Sequence, residues 1–404
     1  MKRRTFIKTL GAVCLPSFDP GILTGKWLNA AGLGHKLGRD FKTSTQDNPG
    51  GGYYGVINRQ GEIVIPPKFK HWFRFSEGLA DIIANVNSGY DGKSGYIDMT
   101  GEWAIPPIFD VTGDFQEGLA PVIPDGEKGK WGYINRTGEL VIPAVFDQIC
   151  EFSEGLACVG VGGVRKNGVQ QNCKWGYIDK TGEWVIAPVY SNAGPFSQGL
   201  APVLVDDVRQ NDVRQNGKWG YIDQTGAVII EPAYSIAYGF QDGLAPVEKD
   251  GFRKNGVRQE GKWGYINRTG EVVTPFRFDD AEILEEGMGV ITVDNLHGYI
   301  DLTGKVVIPP VYLVAFPFSE GLALVCRDRR YYQYITLTGE VVLTLRRGDG
   351  YQVRPFTEGL AAVSQDDEWG FIDTTGEWVI EPVYARAYGF KEGVCSVGFP
   401  YRNK

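Results

Sequence analysis

The chain has 404 residues, 55 of them glycine and 13% of them aromatic, and a formal net charge of −8. That charge excludes a generic nucleic-acid binder while leaving room for local cationic patches. No apolar run approaches the ~18 residues that a membrane-spanning helix needs, so no transmembrane segment is expected.

The chain opens on Lys2-Arg3-Arg4-Thr5-Phe6-Ile7-Lys8 and a short apolar run from Leu10 to Phe18. Residues 1–18 read as a twin-arginine export signal, which places the protein in the periplasm or outside the cell. The competing reading is a cytoplasmic chain with a basic start; Asp19, Pro20 and the lack of an Ala-x-Ala site speak for it. Cys14 lacks the small preceding residues of a lipidation site. Residues 19–52 are a Gly-, Asn- and Asp-rich lead, read as a linker, and the repeat domain covers 53–404.

From there one pattern recurs nine times. Its first glycine falls at 55, 95, 132, 176, 220, 264, 298 and 370, with Gln333 in a decayed eighth copy; its second falls at 78, 118, 155, 199, 243, 287, 321, 359 and 393. The two are 23 residues apart in eight copies and 26 in the decayed one. A fixed spacing of this kind marks one supersecondary unit that cannot bury its apolar face alone. The stretch between copies varies from 11 to 21 residues, as loops on a scaffold do.

The local chemistry of each unit is β. Lys130-Trp131-Gly132-Tyr133-Ile134 reads as a strand, Asn135-Arg136-Thr137-Gly138 as a tight turn and Glu139-Leu140-Val141-Ile142 as the return strand. Glycine closes that turn in all nine units, where a left-handed backbone is needed. Asp or Asn opens it in eight, able to bond the backbone two residues on. Proline, as at Pro143, Pro188, Pro232 and Pro382, is expected to end the second strand. An irregular crossing with an aromatic such as Tyr190 and then Phe196 follows, and Gly-Leu-Ala-Pro-Val makes a third strand. Leu140 and Ile142 facing one way and Val141 the other predict second strands covered on both faces by neighbouring units.

The fold expected is therefore all-β: nine three-stranded antiparallel meanders, with a short fourth strand available at the crossing. The array starts without a Gly-Leu-Ala strand and ends on one, Gly393 to Val397. Pairing these complementary ends closes a β-propeller-like ring and removes the exposed edges. The alternative is an open β-solenoid.

The nine copies act as an internal alignment, in which recurring residues are structural and departures mark function. Glu at 77, 117, 154, 320, 358 and 392 recurs and reads as a turn residue. His35, His71 and His297 stand in no nucleophile setting, so no catalytic residue is assigned. Asp279, Asp280, Glu282, Glu285 and Glu286 form the sharpest acidic departure, read as a solvated acidic loop rather than a paired-carboxylate site. Cys150, Cys158, Cys173, Cys326 and Cys395 lack metal-ligand spacing and read as buried thiols, with one disulfide open to an exported chain. No metal or cofactor is implied.

The other departure is a trio of long hairpins before units four, five and six, with Val164-Arg165-Lys166-Asn167-Gly168-Val169, Val208-Arg209-Gln210-Asn211-Asp212-Val213 and Phe252-Arg253-Lys254-Asn255-Gly256-Val257. Asn-Gly and Asn-Asp suit two-residue turns, so the flanking strands are expected to run on beyond the body. Arg165, Lys166, Arg209, Arg214, Arg253, Lys254 and Arg258 gather there on an acidic chain and form the candidate binding residues.

The Lys-Trp-Gly-Tyr-Ile-Asp, Thr-Gly-Glu and Phe-Ser-Glu-Gly-Leu-Ala segments resemble the WG-repeat family of bacterial proteins, from about Tyr53 to Phe399. Tyr54, Ser94, His297 and Tyr332 depart from its Trp, and the eighth copy has lost its proline. The resemblance implies an all-β repeat array and no single activity. The expected function is a non-enzymatic binding or scaffolding protein recognising a protein or glycan, for which acidic groups suit the cationic hairpins, and no nucleic acid. The alternative is a glycosidase-like enzyme with acids in a propeller channel.

Overall fold

The computed structural model describes residues 52–400 except 85–91, 127–128, 167–168, 172, 206–207, 211–212, 216, 255–256, 260 and 347–351. The export signal, almost all of the lead and residues 401–404 lie outside the described residues. Among those described there is no helix, and none is long and apolar enough to cross a membrane. The strands, numbered in chain order, form eight antiparallel sheets of three to six strands and three separate two-stranded ladders. The sheets follow one another around a closed β-propeller ring. Nine repeat units fit eight sheets because β5, Trp103–Thr112, pairs with β4, Ser94–Asp98, at its start and with β6, Leu119–Pro124, at its end.

The ring closes as the sequence suggests. β1, Tyr54–Asn58, pairs with β39, Val394–Gly398, in continuous register from Tyr54 opposite Gly398 to Asn58 opposite Val394. β2, Ile63–Phe69, and the two-residue β38, Arg386–Ala387, complete that sheet. Chain ends thus build one sheet together, and the open solenoid is ruled out. Short strands such as Gln148–Ile149 and Asn192–Ala193 form at several crossings, each pairing with the following Gly-Leu-Ala strand.

Five units bury a tyrosine just after the first glycine and a phenylalanine 19 residues later, at 96 and 115, 133 and 152, 177 and 196, 221 and 240, and 299 and 318; Tyr133 and Phe152 have ring centroids 4.8 Å apart. A buried phenol needs a partner, and it finds one 17 residues on: Tyr133 donates to the carbonyl of Cys150 (2.6 Å), Tyr177 to Gly194 (2.8 Å) and Tyr221 to Tyr238 (2.7 Å). This bond ties the first strand of a unit to its crossing. The turn glycines all have positive φ, and eight of the nine pack against the second strand of the preceding unit, as Gly182 does on Ile142, while Gly304 meets Val273 and Thr274 of the sixth unit, which lie in no strand. Gly61 of the first unit packs on Ile380 of the last, so this contact also runs round the closed ring.

The second strands differ from expectation in two ways. Apart from β5 they are edge strands, and of the three residues expected to be covered only the isoleucine is buried: Ile142 is 1% exposed, whereas Leu140 and Val141 are 43% and 37% exposed. Nor does proline end them. Pro143 lies inside β8, Leu140–Phe146, at a bulge where Trp131 faces Phe146 but Tyr133 already faces Ile142. The two extra residues on β8 loop over Gly132, and a Cβ there would sit 2.6 Å from the carbonyl oxygen of Ile142. A bulge on an edge strand needs no ladder donor at that point, so proline is tolerated. The decayed unit completes the argument: Gln333 faces Thr344 in an unbroken ladder through this position, and its strand has no proline.

Candidate functional site

The recurring acids have a shared structural task. The carboxylate or amide of each accepts a hydrogen bond from the backbone of the next Glu-Gly turn. Glu77 reaches Gly118, Glu117 reaches Gly155, Glu154 reaches Gly199, Gln198 reaches Gly243 and Asp242 reaches Gly287, at 2.8 to 3.0 Å. Glu286 reaches Gly321, Glu320 reaches Gly359, Glu358 reaches Gly393, and Glu392 returns to Gly78, at 2.7 to 3.0 Å. Nine links therefore close a belt. All nine of these residues hold φ between 50° and 57°, a left-handed conformation that costs a non-glycine residue energy. Only a side chain with an acceptor at its end can bridge to the next turn, which explains why glycine does not stand there.

The acidic run of the sixth crossing is not a solvated loop. Asp280–Glu285 is a strand paired with Met288–Val293, and the run divides among repeat positions. Asp279 accepts from Lys262 (2.5 Å) and from the backbone of Asp294 (2.7 Å), and the lysine holds it below the usual carboxylate range. Lys93 with Asp110 and Lys130 with Asp147 repeat the device in earlier units. Glu286 belongs to the belt. Glu282 is reached by solvent, yet dense surrounding protein and then Asp280 push its carboxyl up to about 7.

A second group of non-repeating charges was overlooked in the sequence. Arg74 donates through Nη2 (2.7 Å) and Nε (3.2 Å) to Asp114 of the next unit, and Asp81 and Glu151 lie within electrostatic reach of the guanidinium. Asp81 is half-buried on a strand where Pro121, Pro202 and Pro246 stand in other units. Desolvation first, and the charge of Asp114 second, raise its carboxyl above the ordinary range. The signal was present as the sole acid at this position of the repeat in nine copies. Burial lowers His297, whose Nδ1 lies 3.1 Å from Thr292 Oγ1; His35 lies outside the described residues.

Cys150 and Cys158 are joined in a disulfide across the turn between Gln148–Ile149 and Leu156–Val161, which corrects the reading of both as thiols. Their strands are neighbours, with the Cys150 amide donating to the Cys158 carbonyl. Cys173, Cys326 and Cys395 are buried outside it. No group of three or more His, Cys, Asp or Glu among the described residues could hold a metal ion.

The hairpins stand apart from the sheets. Val164–Lys166 pairs with Val169–Gln171, Val208–Gln210 with Val213–Gln215, and Phe252–Lys254 with Val257–Gln259. The registers Lys166 to Val169, Gln210 to Val213 and Lys254 to Val257 agree with two-residue turns, whose tips lie outside the described residues. The arms do not simply continue the body strands: each ladder forms a sheet of its own. Arg165 faces Gln170, Arg209 faces Arg214 and Arg253 faces Arg258, with Lys166 and Lys254 one position nearer the tips.

The sequence profile of the WG containing repeat matches nine segments, residues 54–83, 95–126, 131–167, 175–208, 219–251, 263–296, 298–331, 351–369 and 369–397. No curated protein matches the chain. Among solved structures, a eukaryotic initiation factor is similar over 81% of this chain and 95% of its own, at 11% identity and a TM-score of 0.50. BamB from Moraxella catarrhalis is similar over 71% of this chain and 95% of its own, at 11% identity and a TM-score of 0.37. At such identities the likeness is one of fold alone. With the repeat matched along most of its length and the same contacts recurring from unit to unit, the chain belongs to the WG containing repeat family.

Proposed function

We propose that this protein is a non-enzymatic binding ring, exported by the twin-arginine route, whose partner surface is the trio of hairpins. The observation that carries the reading is that three consecutive units each add a separate ladder at the same repeat position, 44 residues apart, while the recurring acids serve the belt. Function on a repeat scaffold is argued from such departures, not from the fold. A protein or a glycan with acidic groups suits the cationic arms. The disulfide suits an oxidising compartment, as the signal does. Trimming the three hairpins to the connection length of units seven to nine is expected to leave the melting curve in place and abolish partner capture from the native host. Recovery of the same partners by the trimmed protein contradicts the reading. Replacing Arg3 and Arg4 by Lys is expected to retain the protein in the cytoplasm; unchanged localisation removes the export route.

A second reading, a glycosidase-like enzyme, is favoured by the convergence of Asp81 and Asp114 on Arg74. Two carboxyls close together, one of them with a raised value, are the pairing that acid-assisted hydrolysis uses. Hydrolysis of aryl glycosides that vanishes in Asp81→Asn supports it, and absence of turnover in the unaltered protein opposes it.

A further inference from the structure

The hairpin ladders carry information about the kind of partner. An antiparallel ladder is weakened when like charges stand directly opposite each other, and a two-stranded ladder of three residues per arm has little to offset that cost. Yet Arg209 faces Arg214, and Arg253 faces Arg258, at the middle position of their ladders. Arg165 holds the equivalent place in the first hairpin, opposite Gln170. Across residues 164–171, 208–215 and 252–259 there are seven cationic side chains and one carboxylate, Asp212, in a chain where acids outnumber bases 49 to 41. Folding alone does not select such pairs; an anion that bridges them does, because guanidinium groups bind carboxylates through paired donors.

Among the described residues each ladder has two strands, so each presents backbone edges that a further strand can join. Only a polypeptide can use those edges. The arms hold a single aromatic residue, Phe252, so they offer no row of stacking platforms for bases or sugar rings. The net charge of −8 opposes a dense polyanion such as nucleic acid, whereas a segment with spaced carboxylates meets mainly the arms. Val164, Val208 and Phe252 precede the middle arginines, so the first strand of each ladder sets an apolar residue beside a cationic one, which suits a segment that carries both apolar and acidic residues.

We infer that the hairpin arms are a docking surface for an acidic polypeptide segment of a partner protein, taken up as an added β-strand with its carboxylates at the middle arginines of the ladders. The inference rests on the binding-ring reading and names the partner class for the same surface. Three stations, two with opposed arginines and one with Arg165 opposite Gln170, make it multivalent, so weak individual contacts sum along one segment.

The test is fluorescence anisotropy with the full chain and a labelled peptide of alternating Glu and Val. The comparisons are a Gln-for-Glu peptide, polygalacturonate and a thymidine oligonucleotide. The acidic peptide is expected to bind at least about 10-fold tighter than its Gln counterpart and to lose about 10-fold between about 50 and about 300 mM NaCl. Arg209→Gln, Arg214→Gln, Arg253→Gln and Arg258→Gln combined are expected to remove the same margin with an unchanged circular dichroism spectrum. If that variant does not fold, Arg253→Gln with Arg258→Gln reads the same loss at one ladder. Equal affinity for the two peptides, or full affinity in a folded variant, overturns the inference. Preferential binding of polygalacturonate or the oligonucleotide overturns it in favour of another polyanion. Should hairpin trimming abolish native partner capture while the acidic peptide fails to bind, the binding ring stands and the acidic segment falls.

Discussion

The carboxylate of Glu392 accepts hydrogen bonds from the backbone amides of Glu77 and Gly78, at 2.8 and 2.9 Å, and so joins the last repeat unit to the first. Residues 315 positions apart in sequence repeat the contact that neighbouring units make everywhere else in the ring. Glu392→Ala is expected to cost about 1 kcal/mol, the scale of a charge-assisted bond at a solvated site. Glu392→Gln, which keeps an acceptor as Gln198 does, is expected to cost less. Equilibrium urea unfolding of the two variants checks the order, and equal losses contradict the belt.

The bulge makes an opposite pair of predictions at one repeat position. Gly176→Ala places a Cβ 2.4 Å from the carbonyl oxygen of Ile186, a clash with backbone that cannot rotate away. A loss of about 2 kcal/mol or more is expected, as for overpacking. Gln333 stands in an uninterrupted ladder, where Gln333→Gly is expected to lose only about 0.5–1 kcal/mol, from backbone entropy. Thermal melts of both proteins distinguish the two; a well-tolerated alanine at 176 rules out the close approach.

Asp81 gives a pH dependence with a defined sign. Its folded value is raised, so its contribution to stability is full below the ordinary carboxylate range and is lost as pH rises through that folded value. Asp81→Asn, neutral throughout, is expected to be more stable than the unaltered protein at pH 8 by on the order of 1 kcal/mol, after allowing for solvent screening of a half-buried group. At pH 4 the difference should shrink. Urea titrations at the two pH values measure it, and a constant difference contradicts the placement of Asp81 beside Asp114.

Much of the ring was legible because its signals are local. Gly138 at a positive φ and Asn135 bonding the amides of Thr137 and Glu139 are turn chemistry written within five residues. The incomplete units at the two ends were equally visible. The belt was not, because Glu154 and Gly199 meet across 45 residues and a recurring acid on a turn looks the same whether or not it reaches a neighbour. The second strand was misread because alternation of Leu140, Val141 and Ile142 says which side chains share a face, not that an edge strand bends at Gly132. At the hairpins, a two-residue turn fixes the register, so the opposition of Arg209 and Arg214 was already implicit in Asn211-Asp212. The cluster at Arg74 was hidden because each member departs alone, in a different copy.

The closed ring is the claim on which the belt, the shared sheet and the presentation of the hairpins all depend. Truncation after Gly393 removes β39, the strand that pairs with Tyr54–Asn58, and strips the first unit of its ladder partner. Urea unfolding of the truncated chain is expected to show a loss of several kcal/mol, on the scale of about 2–4 kcal/mol or more for strand loss with exposure of a core edge. A truncated chain that unfolds at the same urea concentration as the full one contradicts the closed ring.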